Sequence, residues 1–396
     1  MVHLFKKHLS LFILASSAVA LFLISVLLKK HLTLKEYGEL SMLLTYISLI
    51  FQIGLLGLEQ VMLRYSTLLG KSFSINITVF QLLLVVILLS IFLSTMSMLE
   101  YFSRDLWVYL MIIVISSIIS MLYYNIYRLT NDFNIAQIAS NGWKIILLPI
   151  IIINILDIDI EFIIKMTAFS MCIIAVFMLI RFVKNYQIVF YKSNAEHIYF
   201  IWFNFFLALL IGAAIGFSDR YLIEYYLNIE QLGEYFYYLT VILFPYALFQ
   251  TYFGFKELPQ FRKEFCLIIF HKKILKTLLY SLVLTFILVV LFITINNTDF
   301  LEQYHITNYY LIFILMITGI IKMNYSIFSA AMGAIADKKF FLHNNFFMLI
   351  FLIFFFFIFL SIEVITIEKI ALIYLFIWMA RTIVYYFSII KIHGNM

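Results

Sequence analysis

The chain has 396 residues, of which 65% are hydrophobic and only 12% charged, with a formal net charge of +6 and a mean hydropathy of +1.06. Such a composition excludes a water-soluble globular protein. The 2 cysteines and 8 scattered histidines show neither a disulfide framework nor a metal-ligand spacing.

A hydrocarbon core of about 30 Å needs roughly 20 apolar residues per helix, and backbone groups within it find partners only inside the helix. In chain order, spans of that length are expected at 9–28, 37–62, 76–98, 106–127, 137–156, 162–181, 198–218, 233–255, 274–294, 307–328, 340–362 and 369–390. The first follows Lys6 and Lys7 and contains Ala18-Val19-Ala20, a signal-peptidase-like triplet. Its apolar run continues to Leu28, so an uncleaved span is expected. The polar breaks are too short for a separate core, which leaves no room for an extramembrane catalytic domain. No nucleophile constellation, acid–base pair or phosphate-binding glycine loop is present, so no enzyme activity, catalytic residue, metal or cofactor is expected.

Cation placement sets the orientation. With the N-terminus in the cytoplasm, Lys29, Lys30, Lys35, Arg104, Arg220 and Lys369 fall outside, and Lys144, Lys165, Lys322 and Arg381 lie within spans. All other lysines and arginines of the 27 fall inside, so both termini are expected in the cytoplasm. Lys29-Lys30 is the misfit. The acids Asp157, Asp159, Glu161, Asp299, Glu302 and Glu363 fall outside, in agreement.

An ionisable side chain near mid-bilayer costs about 2.5–3.5 kcal/mol on insertion scales and ordinarily faces a bundle interior or a watery cavity. Arg381 falls midway along the last span, Lys322 and Lys144 in the cytoplasmic halves of theirs, and Lys165 and Arg220 near outer ends. A cationic cavity suits a pyrophosphate, because Arg and Lys bind phosphate oxygens strongly. Snorkelling to the interface is the competing reading; it weighs most for Lys165 and least for Arg381. Asp219 beside Arg220 reads as an ion pair or as adjacent interface charges. Glu59 reads as paired with Arg64 or solvated, with proton coupling as the alternative, and Arg64 as a positive-inside anchor or a functional cation.

The remaining features have bland first readings. Gly212-Ala213-Ala214-Ile215-Gly216 is a small-residue helix contact, and Pro149 and Pro245 are expected to kink their spans. Tyr235, Tyr237 and Tyr238 read as an outer aromatic belt, and Phe354 to Phe357 as lipid-facing bulk. The basic run from Lys256 to Lys276, with Phe261, Phe265 and Phe270, reads as a cytoplasmic amphipathic segment at anionic lipid rather than a nucleic-acid site.

The chain also looks doubled. Tyr37-Gly38-Glu39 with Leu44 and Thr45, and Leu232-Gly233-Glu234 with Leu239 and Thr240, share Gly, Glu, Leu and Thr at one offset, each near the start of a span. Six spans separate the copies, which would make the halves parallel repeats about an axis along the membrane normal. The expected fold class is therefore all-α: a polytopic integral membrane protein of about 12 transmembrane helices in two six-helix halves, 1–196 and 197–396.

Three segments carry a family resemblance. Leu32-Thr33-Leu34-Lys35-Glu36-Tyr37-Gly38 and the later Gly54-Leu55-Leu56-Gly57-Leu58-Glu59-Gln60-Val61-Met62-Leu63-Arg64-Tyr65-Ser66 resemble the Wzx-type polysaccharide flippases. Ser218-Asp219-Arg220-Tyr221-Leu222-Ile223, opening toward Gly233, looks like the matching segment of the second half. That superfamily also holds multidrug and toxin exporters and lipid II flippases. The resemblance implies translocation of an undecaprenyl-pyrophosphate-linked oligosaccharide to the outer leaflet of a bacterial inner membrane, for O-antigen, capsule or exopolysaccharide assembly. It also implies membrane lipids and other polysaccharide-assembly membrane proteins as partners. A membrane polymerase or ligase, or a multidrug exporter, are the rivals. The candidate substrate-binding and transport residues are Arg381, Lys322, Lys144, Arg220, Asp219, Arg64 and Glu59.

Overall fold

The structure is a computed structural model describing all residues except 1, 70, 131, 193–197, 299–306, 336–337 and 395–396. Asp299 and Glu302 thus lie outside the described residues, as do the side chains of Lys6, Lys7, Lys338 and Lys339. The protein is all-α in class and 87% helical. Its helices are α1 (Val2–His31), α2 (Leu34–Ile53), α3 (Leu58–Tyr65), α4 (Ile77–Met98), α5 (Trp107–Leu129), α6 (Phe133–Ile153), α7 (Ile160–Asn185), α8 (Ile198–Tyr226), α9 (Ile229–Lys263), α10 (Leu267–Asn296), α11 (Tyr309–Ile335), α12 (Lys338–Leu360) and α13 (Ile367–Gly394). With α2 and α3 counted as one interrupted span, 12 of these segments are long and apolar enough to cross a membrane.

Local chemistry explains where several spans begin. Thr33 caps α2: its hydroxyl accepts from the Glu36 N–H, and the Glu36 carboxylate accepts from the Thr33 N–H at 2.9 Å, a closed capping box. Asn228 caps α9, its Oδ1 accepting the Gln231 N–H at 2.7 Å. Gly38 and Gly233, the glycines of the doubled motif, each follow one of these caps at the same distance along the chain. Helix α6 runs through Pro149, and α9 runs through Pro245.

The chain divides into two compact units, Met1–Ala213 and Ala214–Met396. In the first, α5 is the central element, packed against α2, α4, α6 and α7, while α1 lies on α6. Small hydroxyls line the buried side of α5: Ser116, Ser117 and Ser120 are all buried, and Ser117 donates to the Ile113 carbonyl at 2.7 Å. Small residues let neighbouring backbones approach where lipid gives helices no hydrophobic reason to associate.

The same unit contains a three-stranded sheet that the span pattern did not anticipate. Strands β1 (Ser66–Leu69) and β2 (Ser72–Asn76) form an antiparallel hairpin, and β3 (Gln187–Tyr191) pairs in parallel with β2. Phe73 and Ile75 of β2 are buried, and Phe73 meets Phe182 of α7 edge-on at 5.9 Å. The Tyr191 hydroxyl donates to the Tyr65 carbonyl at 2.5 Å. The sheet thereby ties together the chain ends leaving α3, entering α4 and leaving α7.

In the second unit α11 is the central element. It packs on α9, α10 and α13, and α12 packs on α13. Helix α11 is buried along most of its length, whereas α10 and α12 carry rows of exposed apolar side chains, among them Phe286, Leu279, Phe354 and Phe357. In water such faces would drive aggregation; against lipid tails they are the expected surface.

The basic run between spans eight and nine is not a separate amphipathic segment. Helix α9 continues to Lys263 and α10 starts at Leu267, because the apolar face persists: Phe261 and Phe270 are buried, and Phe270 packs edge-on to Phe328 of α11 at 5.5 Å. Nor do Tyr235, Tyr237 and Tyr238 form a lipid-facing belt; all three are buried. The Tyr238 hydroxyl accepts from the backbone N–H groups of Thr307 and Asn308 at 3.3 and 3.2 Å, satisfying donors at the entry to α11.

Gly319 sets the spacing of α9 and α11, since a Cβ at that position would run into the Tyr246 ring. Gly319→Ala is therefore expected to cost about 1–3 kcal/mol through overpacking, read as a lower melting temperature in detergent. In a double-mutant cycle with Tyr246→Ala the added cost of Gly319→Ala should shrink, because the clash is with that ring.

Candidate functional site

Three cations stand close to the middle of their helices. Lys322 is the central residue of α11, Lys144 lies beside the centre of α6, and Arg381 lies midway along α13. The first two were expected in the cytoplasmic halves of their spans; the observed helix limits place them at or beside the helix centre.

Lys322 and Arg381 come together in the second unit, where α11 packs on α13. The Lys322 ammonium donates to the Tyr374 hydroxyl at 3.1 Å and lies over the Tyr374 and Trp378 rings, 5.5 and 4.8 Å from their centroids. The Arg381 guanidinium lies over Tyr325, Trp378 and Tyr385 at 4.8, 5.4 and 5.9 Å. Both cations thus share Trp378, and the four aromatic residues are buried. The rings hold one another edge-on, Tyr325 with Trp378 and with Tyr385 at 5.3 Å in each case. Among the described residues no carboxylate lies within ion-pairing distance of either cation. The face of a ring supplies negative potential worth about 2 kcal/mol or more in a desolvated setting. That is the order of the cost of holding such a charge at mid-membrane.

A spacing signal for this cluster was present in the chain. Tyr374, Trp378, Arg381 and Tyr385 recur at intervals of four, three and four residues, which places them on one face of a helix. Lys322 and Tyr325 are likewise one turn apart on α11.

Asp219 and Arg220 lie in the last part of α8. Asp219 is buried rather than interfacial; its Oδ2 accepts the Tyr235 hydroxyl at 2.7 Å, and its Oδ1 has no hydrogen-bond partner. The Arg220 guanidinium lies 5.5 Å from the centroid of the Phe217 ring. Asp219 and Tyr235 thus form a short buried polar seam between α8 and α9.

The other candidates belong to the first unit. Between α2 and α3 the helix breaks: Leu56 and Gly57 take positive φ values of 47° and 83°. A non-glycine residue in that region is uncommon and strained. The break is held from α8, where the Trp202 indole N–H donates to the Leu56 carbonyl at 2.7 Å. Two residues past Gly57 comes Glu59, 2% exposed, with Oε2 lacking a hydrogen-bond partner. The expectation that Glu59 is solvated or paired with Arg64 is corrected: it is buried, and no ion pair joins the two. Arg64 instead sits exposed in the last turn of α3 with its guanidinium 4.9 Å from the centroid of the Phe205 ring. The break rotates Glu59 inward while the end of the short helix carries Arg64 out.

Lys144 donates to Asn141 Oδ1 at 2.7 Å and borders a cavity of about 260 Å³ lined also by Leu21, Phe51 and Trp143. Lys165 is half-buried and paired with Glu161 at 3.2 Å. Of the small-residue run in α8, Gly212 does make a close approach, to the Gln52 side chain, whereas a Cβ on Gly216 would meet nothing within 4 Å. Among the described residues, no group of three or more His, Cys, Asp or Glu could hold a metal ion.

No family model matches the chain, and comparison with curated proteins and with solved structures yields no match.

Two glycines give a paired test of the break. At Gly57 a Cβ would combine the φ of 83° with contacts of 2.8 and 3.0 Å to the Phe206 nitrogen and Phe205 carbonyl carbon. Gly57→Ala should destabilise by about 1–3 kcal/mol, whereas Gly216→Ala should be neutral or slightly stabilising. Thermal unfolding of the purified variants in one detergent checks both.

Proposed function

We propose that the protein is a flippase that moves an undecaprenyl-pyrophosphate-linked oligosaccharide from the inner to the outer leaflet of a bacterial inner membrane, with both termini in the cytoplasm. The observation that carries the reading is the mid-helix pair Lys322 and Arg381, set among aromatic rings with no carboxylate within ion-pairing distance among the described residues. Two uncancelled positive charges at that depth attract a diphosphate, and a guanidinium offers it a planar two-pronged donor. The surrounding Tyr and Trp rings present faces on which a sugar can stack. The length and number of the spans, the resemblance of the segments 32–66 and 218–223, and the like placement of the α2 and α9 caps support the same reading.

On this reading the glycan passes through a cationic cavity while the prenyl tail stays in lipid. The two six-helix halves alternate between inward-open and outward-open arrangements. Glu59, buried beside the break in span two, is the residue we assign to coupling with an ion gradient; Asp219 and Arg220 shape the second half's polar seam. Lys144 and Arg64 are the candidate substrate-binding cations of the first unit. The chain performs no bond-making chemistry of its own, and other membrane proteins of polysaccharide assembly would supply and consume its substrate.

Arg381→Ala and Lys322→Ala are expected to insert and express normally but to lose translocation, leaving the lipid-linked repeat unit trapped in the inner leaflet. Arg381→Lys should recover part of the activity if charge alone matters, and little if the planar fork is needed. Full transport by both alanine variants, at normal abundance, would remove the pair from the binding role.

Orientation has its own check. Single cysteines replacing the exposed residues Lys272 and Arg104 should be labelled by an impermeant thiol reagent from opposite sides, Arg104→Cys from the outside and Lys272→Cys only after the membrane is opened. Labelling of both from one side would overturn the span assignment between them.

A further inference from the structure

A second cationic feature lies apart from the Lys322–Arg381 cluster and does not depend on the flippase reading. Helices α9 and α10 both pack on α11 but touch each other little, and between them opens a cavity of about 330 Å³. Its lining is graded. Toward the chain reversal at 264–266 it presents Lys256, Lys273 and Lys276; farther along it presents Tyr280, Val283 and Ile287. On α10 the residues Lys276, Tyr280, Val283 and Ile287 follow at helical spacing, so one face passes from cation to aromatic ring to aliphatic chain.

The charges are not balanced. Glu257 is buried and forms an ion pair with Lys273, and Lys273 also donates to Gln260 at 2.6 Å. Lys256 and Lys276, both exposed, have no carboxylate partner among the described residues; each ammonium lies over a ring of its own helix, Tyr252 at 5.5 Å and Tyr280 at 5.7 Å. The Phe253 and Tyr280 rings, stacked 9° from parallel with centroids 6.0 Å apart, bridge the two helices at this level.

We propose that this cleft binds a lipid with a phosphate headgroup, the phosphate between Lys256 and Lys276 and one hydrocarbon chain along Tyr280, Val283 and Ile287. The geometry matches the amphiphile in order and in depth. At 1.5 Å per residue the lysines stand roughly 10–15 Å from the helix ends that meet at the reversal, and the apolar part continues from them away from those ends. A zwitterionic lipid offers the same tail but adds a cation where two already stand. An inorganic phosphate offers the charge but leaves the apolar wall uncovered. The shared requirement is a phosphate ester carrying a hydrocarbon chain, whether a membrane glycerophospholipid or a prenyl phosphate.

The test uses the full-length protein in phosphatidylcholine nanodiscs, titrated with dioctanoyl phosphatidic acid and separately with geranylgeranyl phosphate, bound lipid being counted by native mass spectrometry. Either phosphate lipid should bind at least about tenfold more tightly than dioctanoyl phosphatidylcholine, as two lysines near an anionic headgroup imply. K256Q/K276Q should remove that preference, whereas K272Q, at an exposed lysine outside the cleft, should keep it. E257Q, which releases the Lys273 charge, should strengthen phosphate-lipid binding. Tighter phosphatidic acid identifies the bilayer phospholipid as the source, tighter geranylgeranyl phosphate identifies a prenyl carrier, and equal affinities show that the tail is not discriminated. Phosphatidylcholine binding as well as the phosphate lipids, or an unchanged preference in K256Q/K276Q, would overturn the proposal.

Discussion

Hydrocarbon offers neither hydrogen-bond partners nor counter-ions, so backbone groups freed at membrane depth must be answered from within the protein. The irregular features of this structure are answers to that demand. Where span two breaks at Leu56 and Gly57, the helical ladder is interrupted, and a side-chain donor from another helix, the Trp202 indole, takes up the Leu56 carbonyl. At the start of α11, the Tyr238 hydroxyl accepts from two backbone N–H groups, those of Thr307 and Asn308. Serine and threonine hydroxyls inside the spans turn back to carbonyls three or four residues earlier, as Ser117 and Thr318 do. In each case the helix keeps its polar atoms occupied without water.

Lys322 and Arg381 differ from Lys165 and Arg181 in the partners they meet. Lys165 and Arg181 meet carboxylates, at 3.2 and 3.5 Å, and both pairs are partly exposed. Exposed pairs of this kind contribute little to stability. Lys322 and Arg381 meet rings instead. A carboxylate would cancel the charge and add its own burial cost, which in low dielectric can exceed the attraction. A ring face lowers the cost of the cation and leaves the unit charge in place. The choice of aromatic over acidic neighbours therefore keeps a positive field inside the second unit.

How much of this was readable from the chain depended on the length scale of each feature. The 12 spans were legible because a run of about 20 apolar residues has few alternatives, and the in-span cations because any charge in such a run stands out. The Tyr374-Trp378-Arg381-Tyr385 stripe was legible in principle from its helical spacing, although which helix it faces was not. Other features depend on tertiary contacts. Strands of four or five residues in the polar breaks take their pairing from chain ends more than a hundred residues apart, as Ser72 with Gln187 shows. The inward turn of Tyr235, Tyr237 and Tyr238 depends on where Asp219 and the start of α11 lie. The persistence of α9 and α10 beyond their most apolar stretches depends on Phe261 and Phe270 finding neighbours.

The placement of Glu59 shows how a small backbone departure changes a residue's chemistry. In an uninterrupted helix, Glu59 and Arg64 are five residues apart, at an angle that keeps them from facing each other. The two positive-φ residues just before them re-aim the short α3, so that the acid goes into the protein and the base stays out at the helix end, where a cation also complements the helix dipole. The strain stored at Leu56, about 1–3 kcal/mol for a non-glycine residue in that region, is maintained by the Trp202 hydrogen bond and by the approach of the Phe205–Phe206 backbone to Gly57. The break thus fixes, through two backbone positions, that the Glu59 carboxylate lies on the buried side of α3 and Arg64 on the exposed side.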